Sequence, residues 1–325
     1  GCTTCMKHCP TEAIRVRNGC AEIDPERCID CGECIRVCPY NAKKATHDSL
    51  DCLNNYKYKI ALPAPALYGQ FNNLENVDYV LTGLKKMGFD DVVEVSKGAE
   101  ILSSATREMF ENGELKKPVI SSACPAVVRL IRTRFPNLLG NLLPTCAPID
   151  LAAKIAREKA KKETDYTDEE IGVFFITPCP AKRTAIKSPL CHENYGINGA
   201  IAIKDIYTVL VQTMDRLTAD EIEAINDSGI IGVGWCSSGG EAAGLLKERY
   251  LAADGIENVI NVLEELEDEK LNDLEFIELN ACSGGCVGGP LTVENPFVAK
   301  ARLQRLRKYM PVSCNHLEYD TIPKE

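Results

Sequence analysis

From Lys57 onward, apolar positions switch between two periods. "YKIALPA", "DVVEVS", "KPVISSAC", "IGVFFITPC", "GIIGVGW" and "LEFIELNAC" are short apolar runs and predict strands. Between them, "NVDYVLTGLKKMGF", "AEILSSATREMFENG", "AVVRLIRTRF", "LAAKIAREKAKKE", "IKDIYTVLVQTMDRL", "EAAGLLKERYLA" and "IENVINVLEELED" repeat apolar residues at three- and four-residue steps and predict helices. Alternating strands and helices imply parallel sheets covered on both faces. The length of this stretch implies two α/β lobes. The first fifty residues read differently. They are short, polar and rich in cysteine, with one hairpin signal in "AIRVRNGCAEID". Residues 40–56 form a helix-poor connection, and Cys52 and His47 in it read as ligands of nothing. The domains expected are 1–52 and 53–325.

The chain has 325 residues, 45% of them hydrophobic, which is ample for a large core. With 37 basic and 47 acidic residues its formal charge is −10. That excludes a surface built to coat nucleic acid or an anionic membrane. No run approaches the ~18 apolar residues of a membrane span. A cytoplasmic location is expected. Seventeen cysteines change the picture most. Disulfide scaffolds belong to small secreted domains, so metal or cluster chemistry is the better reading.

Residues 28–39, "CIDCGECIRVCP", form a complete C-x2-C-x2-C-x3-C-P run. Residues 2–10, "CTTCMKHCP", repeat it without the leading cysteine. The pair resembles a bacterial two-cluster ferredoxin domain. In that arrangement three thiolates wrap one cubane and the fourth crosses to the other. The expectation is one 4Fe–4S cluster on Cys28, Cys31, Cys34 and Cys9. A second would sit on Cys2, Cys5 and Cys38, with a fourth ligand upstream of Gly1. Cys20 is a weaker alternative, since a small residue at a turn explains it as well. Zinc ribbons do not overlap triplets in this way.

Three predicted strands run into cysteine: Cys124, Cys179 and Cys282. In open α/β sheets, ligands bind beyond the carboxyl ends of strands. With Cys286 four residues after Cys282, the pattern reads as one four-cysteine site.

These segments resemble the signature motifs of the FeFe hydrogenases. Ser121-Ser122-Ala123-Cys124-Pro125 stands where the family has T-S-C-C-P. Thr177-Pro178-Cys179-Pro180-Ala181-Lys182 stands for M-P-C-x-x-K. Glu278 to Pro290, "ELNACSGGCVGGP", stands for E-x-M-A-C-x-x-G-C-x-x-G-G-G. "GWCSSGGEAAGLL" is similar to the family's G-A-T-G-G-x-x-E-A-A. The resemblance implies a two-lobed α/β H-cluster domain preceded by a small ferredoxin-like α+β domain. It implies that Cys124, Cys179, Cys282 and Cys286 hold the 4Fe–4S half of an H-cluster, with Cys286 bridging to a di-iron subsite bearing CO, cyanide and an azadithiolate. Lys182 would hold one cyanide, and Ala64-Pro65 would contact the other. Pro178, Thr177, Asn280 and Gly285 would line the cofactor, the glycines of the last motif letting backbone approach it. Hydrogen and protons would be the substrates, and electrons would leave through the two 4Fe–4S clusters to a redox or signalling partner. Dedicated maturation enzymes would supply the di-iron part.

The departures from the family matter as much. Ala123 replaces the cysteine that relays protons in catalytic members, and alanine cannot transfer a proton. Glu100 and Glu108, the acids of "AEILSSATREMF", do not match the family's relay glutamates in register. Thr177 and Asn280 replace two methionines, and polar neighbours shift cluster potentials. The set resembles the putative sensory members, with slow reversible hydrogen chemistry. Cys236, or Cys146 in "PTCAP", is a speculative replacement relay; each reads equally as a small packing residue. The competing reading is an iron–sulfur assembly or electron-transfer protein on this scaffold without the di-iron subsite. Cys191-His192 and Cys314-His316 carry no further site. The basic helix Lys300 to Lys308 reads as a solvated face.

Overall fold

The computed structural model describes residues 2–189 and 195–315, so His316 and Cys191-His192 lie outside the described residues. The first unit is an antiparallel hairpin of β1 (Ile14–Arg17) and β2 (Cys20–Ile23), flanked by the short helices Thr4–Lys7 and Glu33–Arg36. Asn18 and Gly19 turn it with positive φ, as the sequence predicts.

The remaining strands make two parallel sheets. β3 (Tyr58–Pro63), β4 (Asp91–Val92), β6 (Ile171–Thr177) and β7 (Gly199–Ala202) are ordered β4-β3-β6-β7. β5 (Val119–Ile120), β8 (Tyr250–Asp254) and β9 (Phe276–Asn280) are ordered β5-β9-β8. Side-chain alternation along β3 and β6 explains why both faces of the first sheet are covered. Ala61, Phe174 and Ile176 face Leu81 and Leu84 of helix Asp78–Lys86 and Leu210 of helix Ile203–Met214. Ile60, Leu62, Val173 and Phe175 face an alanine stripe, Ala152, Ala153, Ala156 and Ala160, on helix Pro148–Glu163. In the second sheet Ile120, Ile277 and Leu279 pack on Val127 and Ile131 of helix Pro125–Arg134 and on Val259 and Leu263 of helix Ile256–Glu267.

Five elements differ from expectation. "GIIGVGW" is the helix Ile230–Gly234. A short apolar run does not separate a strand from a buried helix. Here the buried carboxylate of Glu100 decides, because its Oε1 accepts the N–H of Gly229 at 2.6 Å and of Gly232 at 3.4 Å. A Cβ on Gly232 would lie 2.2 Å from Ser96 O, so glycine permits the close approach. "EAAGLLKERYLA" is split: the helix ends at Gly244, Leu246 takes φ +55°, and the chain enters β8. Edge strand β7, "GAIA", has too few large apolar residues to announce itself. β4 and β5 are only two residues long, shorter than the runs that predicted them.

Candidate functional site

The four cysteines arrive from both sheets. Cys124 is the N-cap of helix Pro125–Arg134, four residues after β5. Cys179 is the N-cap of helix Pro180–Lys187, two residues after β6. Cys282 follows β9 by two residues, and Cys286 opens a 3-10 turn. In each of the first two, the following proline disfavours helical backbone at the cysteine, which stays extended as the N-cap while the proline opens the helix, and this sets its thiol at the strand-to-helix corner. Cys179, Cys282 and Cys286 each lie near enough to feel the charge of Cys124 as a thiolate. Desolvation is the larger cause and pushes Cys179, Cys282 and Cys286 up. Bare, these thiols are protonated; a soft metal group would displace the protons.

An all-thiol set of four suits an iron–sulfur cubane. Among the described residues, no three His, Cys, Asp or Glu side chains are close enough to hold a single metal ion. The N-terminal unit also groups its thiols. Cys28, Cys34 and Cys9 repel one another as thiolates, and Cys38 does the same with Cys2. Burial pushes Cys28 up to about 11. Backbone amides already point at sulfur there: Ala13 N donates to Cys9 Sγ at 3.2 Å and Ala42 N to Cys38 Sγ at 3.4 Å. Cys20 stays exposed on the hairpin, paired in register with Arg17.

Lys182 is nearly buried, on the first turn of helix Pro180–Lys187. Its Nζ donates to Ala123 O at 2.7 Å, and it makes no ion pair among the described residues. It is close enough to lower the Cys286 pKa. The carboxyls of Asp150 and of buried Glu241 feel its charge from beyond ion-pair distance, so the ammonium keeps donors for an anionic ligand. The lysine also lines a cavity of about 670 Å³ with Ser122, Cys146 and Asp150.

Other expected residues fall as follows. Ala64 ends the β3 loop and caps the 3-10 helix Pro65–Gln70, both buried. Pro178 O accepts Leu291 N at 2.9 Å, tying the second motif to the third. Thr177 is fully buried; its hydroxyl donates to Cys179 O at 2.9 Å and accepts Cys179 N at 3.1 Å. The Asn280 amide donates to Glu278 Oε1 at 2.8 Å. Cys236 is buried, its thiol donating to Val233 O at 3.2 Å, and its carbonyl accepts Val287 N at 3.1 Å. Burial pushes Cys236 to about 12, and Cys146 to about 11.

The glycines of the last motif serve backbone packing. A Cβ on Gly285 would meet Ser238 N at 2.6 Å, on Gly288 Ser283 O at 2.1 Å, and on Gly289 Pro178 O at 2.2 Å. They let the Cys282–Cys286 loop lie on two other segments.

One feature went unread in the sequence. Buried Glu241 accepts the Ser121 hydroxyl at 2.5 Å, and Ser121 Oγ accepts Ala123 N at 3.2 Å. Desolvation, with Glu278 nearby, raises Glu241 to about 8. The signal was the acid in "GGEAAG". Glu100, by contrast, is fully engaged. Besides the two glycine amides, its Oε2 accepts Cys314 N at 3.0 Å, Asn315 N at 3.1 Å and Asn315 Nδ2 at 2.9 Å. Glu108 is exposed.

Comparison with known proteins agrees with this geometry. The family model "Iron only hydrogenase large subunit, C-terminal domain" matches residues 57–250 and 241–290, and a 4Fe-4S binding domain matches 21–44. The periplasmic Fe hydrogenase large subunit of Nitratidesulfovibrio vulgaris is 28% identical over 56% of this chain and 48% of its own length. Iron hydrogenase 1 of Clostridium pasteurianum is 23% identical over 72% of this chain and 50% of its own. The chain thus spans about half the length of these relatives. A solved variant of the FeFe-hydrogenase HydA1 from Chlamydomonas reinhardtii superposes with TM-score 0.59 at 15% identity, over 79% of this chain and 86% of that one. That likeness is one of fold.

Proposed function

Since the chain belongs to the iron-only hydrogenase large-subunit family, we propose that it is an FeFe hydrogenase of low turnover, suited to reporting hydrogen rather than consuming it. The observation that carries this reading is the nearly buried Lys182, without an ion-pair partner among the described residues, beside four convergent thiols. Cys124, Cys179, Cys282 and Cys286 would hold the cubane, Cys286 the di-iron subsite, and Lys182 an anionic ligand of it. Ala64-Pro65 and Pro178 would form the apolar wall. When bound, that cofactor supplies reversible heterolytic cleavage of hydrogen.

The chain's own residues shape how slowly this runs. Thr177 fixes the Cys179 backbone from both sides. Lys182 donates to the Ala123 carbonyl and so fixes the motif where a relay thiol is missing. The helix behind it offers no replacement, because Glu100 is engaged and Glu108 faces solvent. Buried Glu241 is reached from the Ala123 motif through Ser121, and it is the proposed proton-holding group. Burial favours its protonated, donating form.

Cys28, Cys31, Cys34 and Cys9 would hold the cluster next to the site, and Cys2, Cys5 and Cys38 the outer one, where a redox or signalling partner would dock. Among the described residues no helix is long and apolar enough to cross a membrane. The test is isotope exchange between D2 and H2O by protein matured with its di-iron subsite. Slow HD release is expected. Full cluster content without exchange, beside an active control, would favour the assembly or electron-transfer reading instead.

A further inference from the structure

Arg36 lies in the x3 stretch of "CIRVCP", between Cys34 and Cys38 of the ferredoxin run. Its side chain leaves its own unit. Nη1 donates to Cys282 Sγ at 3.6 Å, and Nη2 donates to Cys31 O at 2.8 Å and Ala281 O at 3.3 Å. Nε donates to Glu33 Oε2 at 3.1 Å. One guanidinium thus touches a ligand sulfur of the four-cysteine site and the backbone of a ligand of the nearer ferredoxin site. Arginine suits the place because its planar fork serves several acceptors at once.

The contact is built, not incidental. Ile29 and Cys31 belong to the same apolar cluster as Ile277 and Leu279 of β9. Gly32, at φ +76°, faces Pro290, and a Cβ there would lie 2.3 Å from Pro290 Cγ. Pro290 is the residue that departs from the third glycine of the family motif. Its ring closes on Gly32 and seals the Cys31 loop against the Cys282 loop. Arg129 pairs with Asp30 at 3.2 Å on the same face.

We propose that Arg36 is a positioning residue that couples the two halves: its charge on Cys282 favours the reduced state of the cubane held there, and its bonds to Cys31 and Ala281 hold the nearer ferredoxin cluster in electron-transfer reach. Hydrogen bonds to ligand sulfur raise cluster potentials. Glu33 is the counterweight, because its carboxylate partly neutralises the same guanidinium. The two residues therefore act on the potential with opposite signs.

This rests on the reading that the four cysteines bind a cubane, and the experiment separates the two claims. Cluster-loaded protein is titrated potentiometrically and followed by electron paramagnetic resonance. Arg36→Gln should change the oxidised-to-reduced ratio of one cluster about tenfold at fixed potential, a fall of about 59 mV for one electron. Arg36→Lys should give a smaller fall, since the charge remains and the fork is lost. Glu33→Gln should move the same signal upward. Iron content should stay at the wild-type level in all three. Wild-type protein without a cluster on the four cysteines would overturn the underlying reading. A full set of clusters with unchanged potential in Arg36→Gln, or a shift of equal sign in Glu33→Gln, would overturn the role of Arg36.

Discussion

Gly289→Ala tests how tightly the second and third motifs must approach. Gly289 has φ −64°, so alanine meets no backbone strain there. Its Cβ would lie 2.2 Å from Pro178 O, 2.9 Å from Pro178 C and 3.1 Å from Pro178 Cβ. A carbon–oxygen contact settles at about 3.3 Å. The Cys179 and Cys286 loops must therefore part by about 1 Å. The parting also breaks the 2.9 Å bond from Leu291 N to the buried Pro178 carbonyl. Overpacking costs about 1–3 kcal/mol and an orphaned buried carbonyl about as much again, so a loss near 3 kcal/mol is expected. At roughly 2 °C per kcal/mol for a domain of this size, the melting temperature falls by about 6 °C. Iron analysis should show the loss of one cluster, the one on the four cysteines, with the N-terminal clusters kept. The control is Gly113→Ala, where φ is +72° and no atom lies within 4 Å of the added Cβ. It costs only about 1–2 kcal/mol of backbone strain and should keep every cluster. Wild-type iron content and stability in Gly289→Ala would refute the argument that this glycine sets the spacing of the thiols.

Other outcomes follow from the same contacts. Ala123→Cys should raise hydrogen turnover by about tenfold or less, below the ~10²–10⁴ of a complete acid–base path, because Glu100 is engaged and Glu108 exposed; a thousandfold gain in a solution assay would show that no other link is missing. Glu241→Gln should keep the Ser121 hydrogen bond and the fold, yet remove an inflection above the usual carboxylate range from the pH–rate profile; an unchanged profile would exclude Glu241 as the proton holder. Burial raises Glu94 from 4.5 to about 7, offset in part by hydrogen bonds from Asp227 N and Tyr68. Its folded form binds the proton more tightly than the unfolded chain, so its contribution is full below pH 4.5 and is lost as pH rises through 7, about 3 kcal/mol in all. Glu94→Gln should flatten the stability profile in that window by thermal melting; an equal slope in both proteins would refute it.

Much of this was legible in the sequence, and the rest was hidden for definite reasons. The ferredoxin runs and the four cysteines of the body depend on local spacing, which a sequence prints directly. The strands leading to Cys179 and Cys282 were equally plain, because β6 and β9 are central and carry long apolar runs. Residues 229–235 were misread because their state depends on Glu100, about 130 residues away. Glu241 was silent because a glutamate opening a helix is ordinary on a surface, and only the fold buries it on Ser121. Arg36 and Pro290 acquire meaning only when two units are docked. The glycines near Cys286 were noticed, but the backbone that crowds Gly285 and Gly289 comes from distant segments, Cys236–Ser238 and Pro178.

The central claim is that Cys286 and Lys182 together hold a di-iron subsite. Infrared spectroscopy of the protein after maturation tests it most directly. The account predicts CO and cyanide stretches, with the cyanide bands shifted in Lys182→Gln. Their absence, in a preparation whose control hydrogenase shows them, would contradict it.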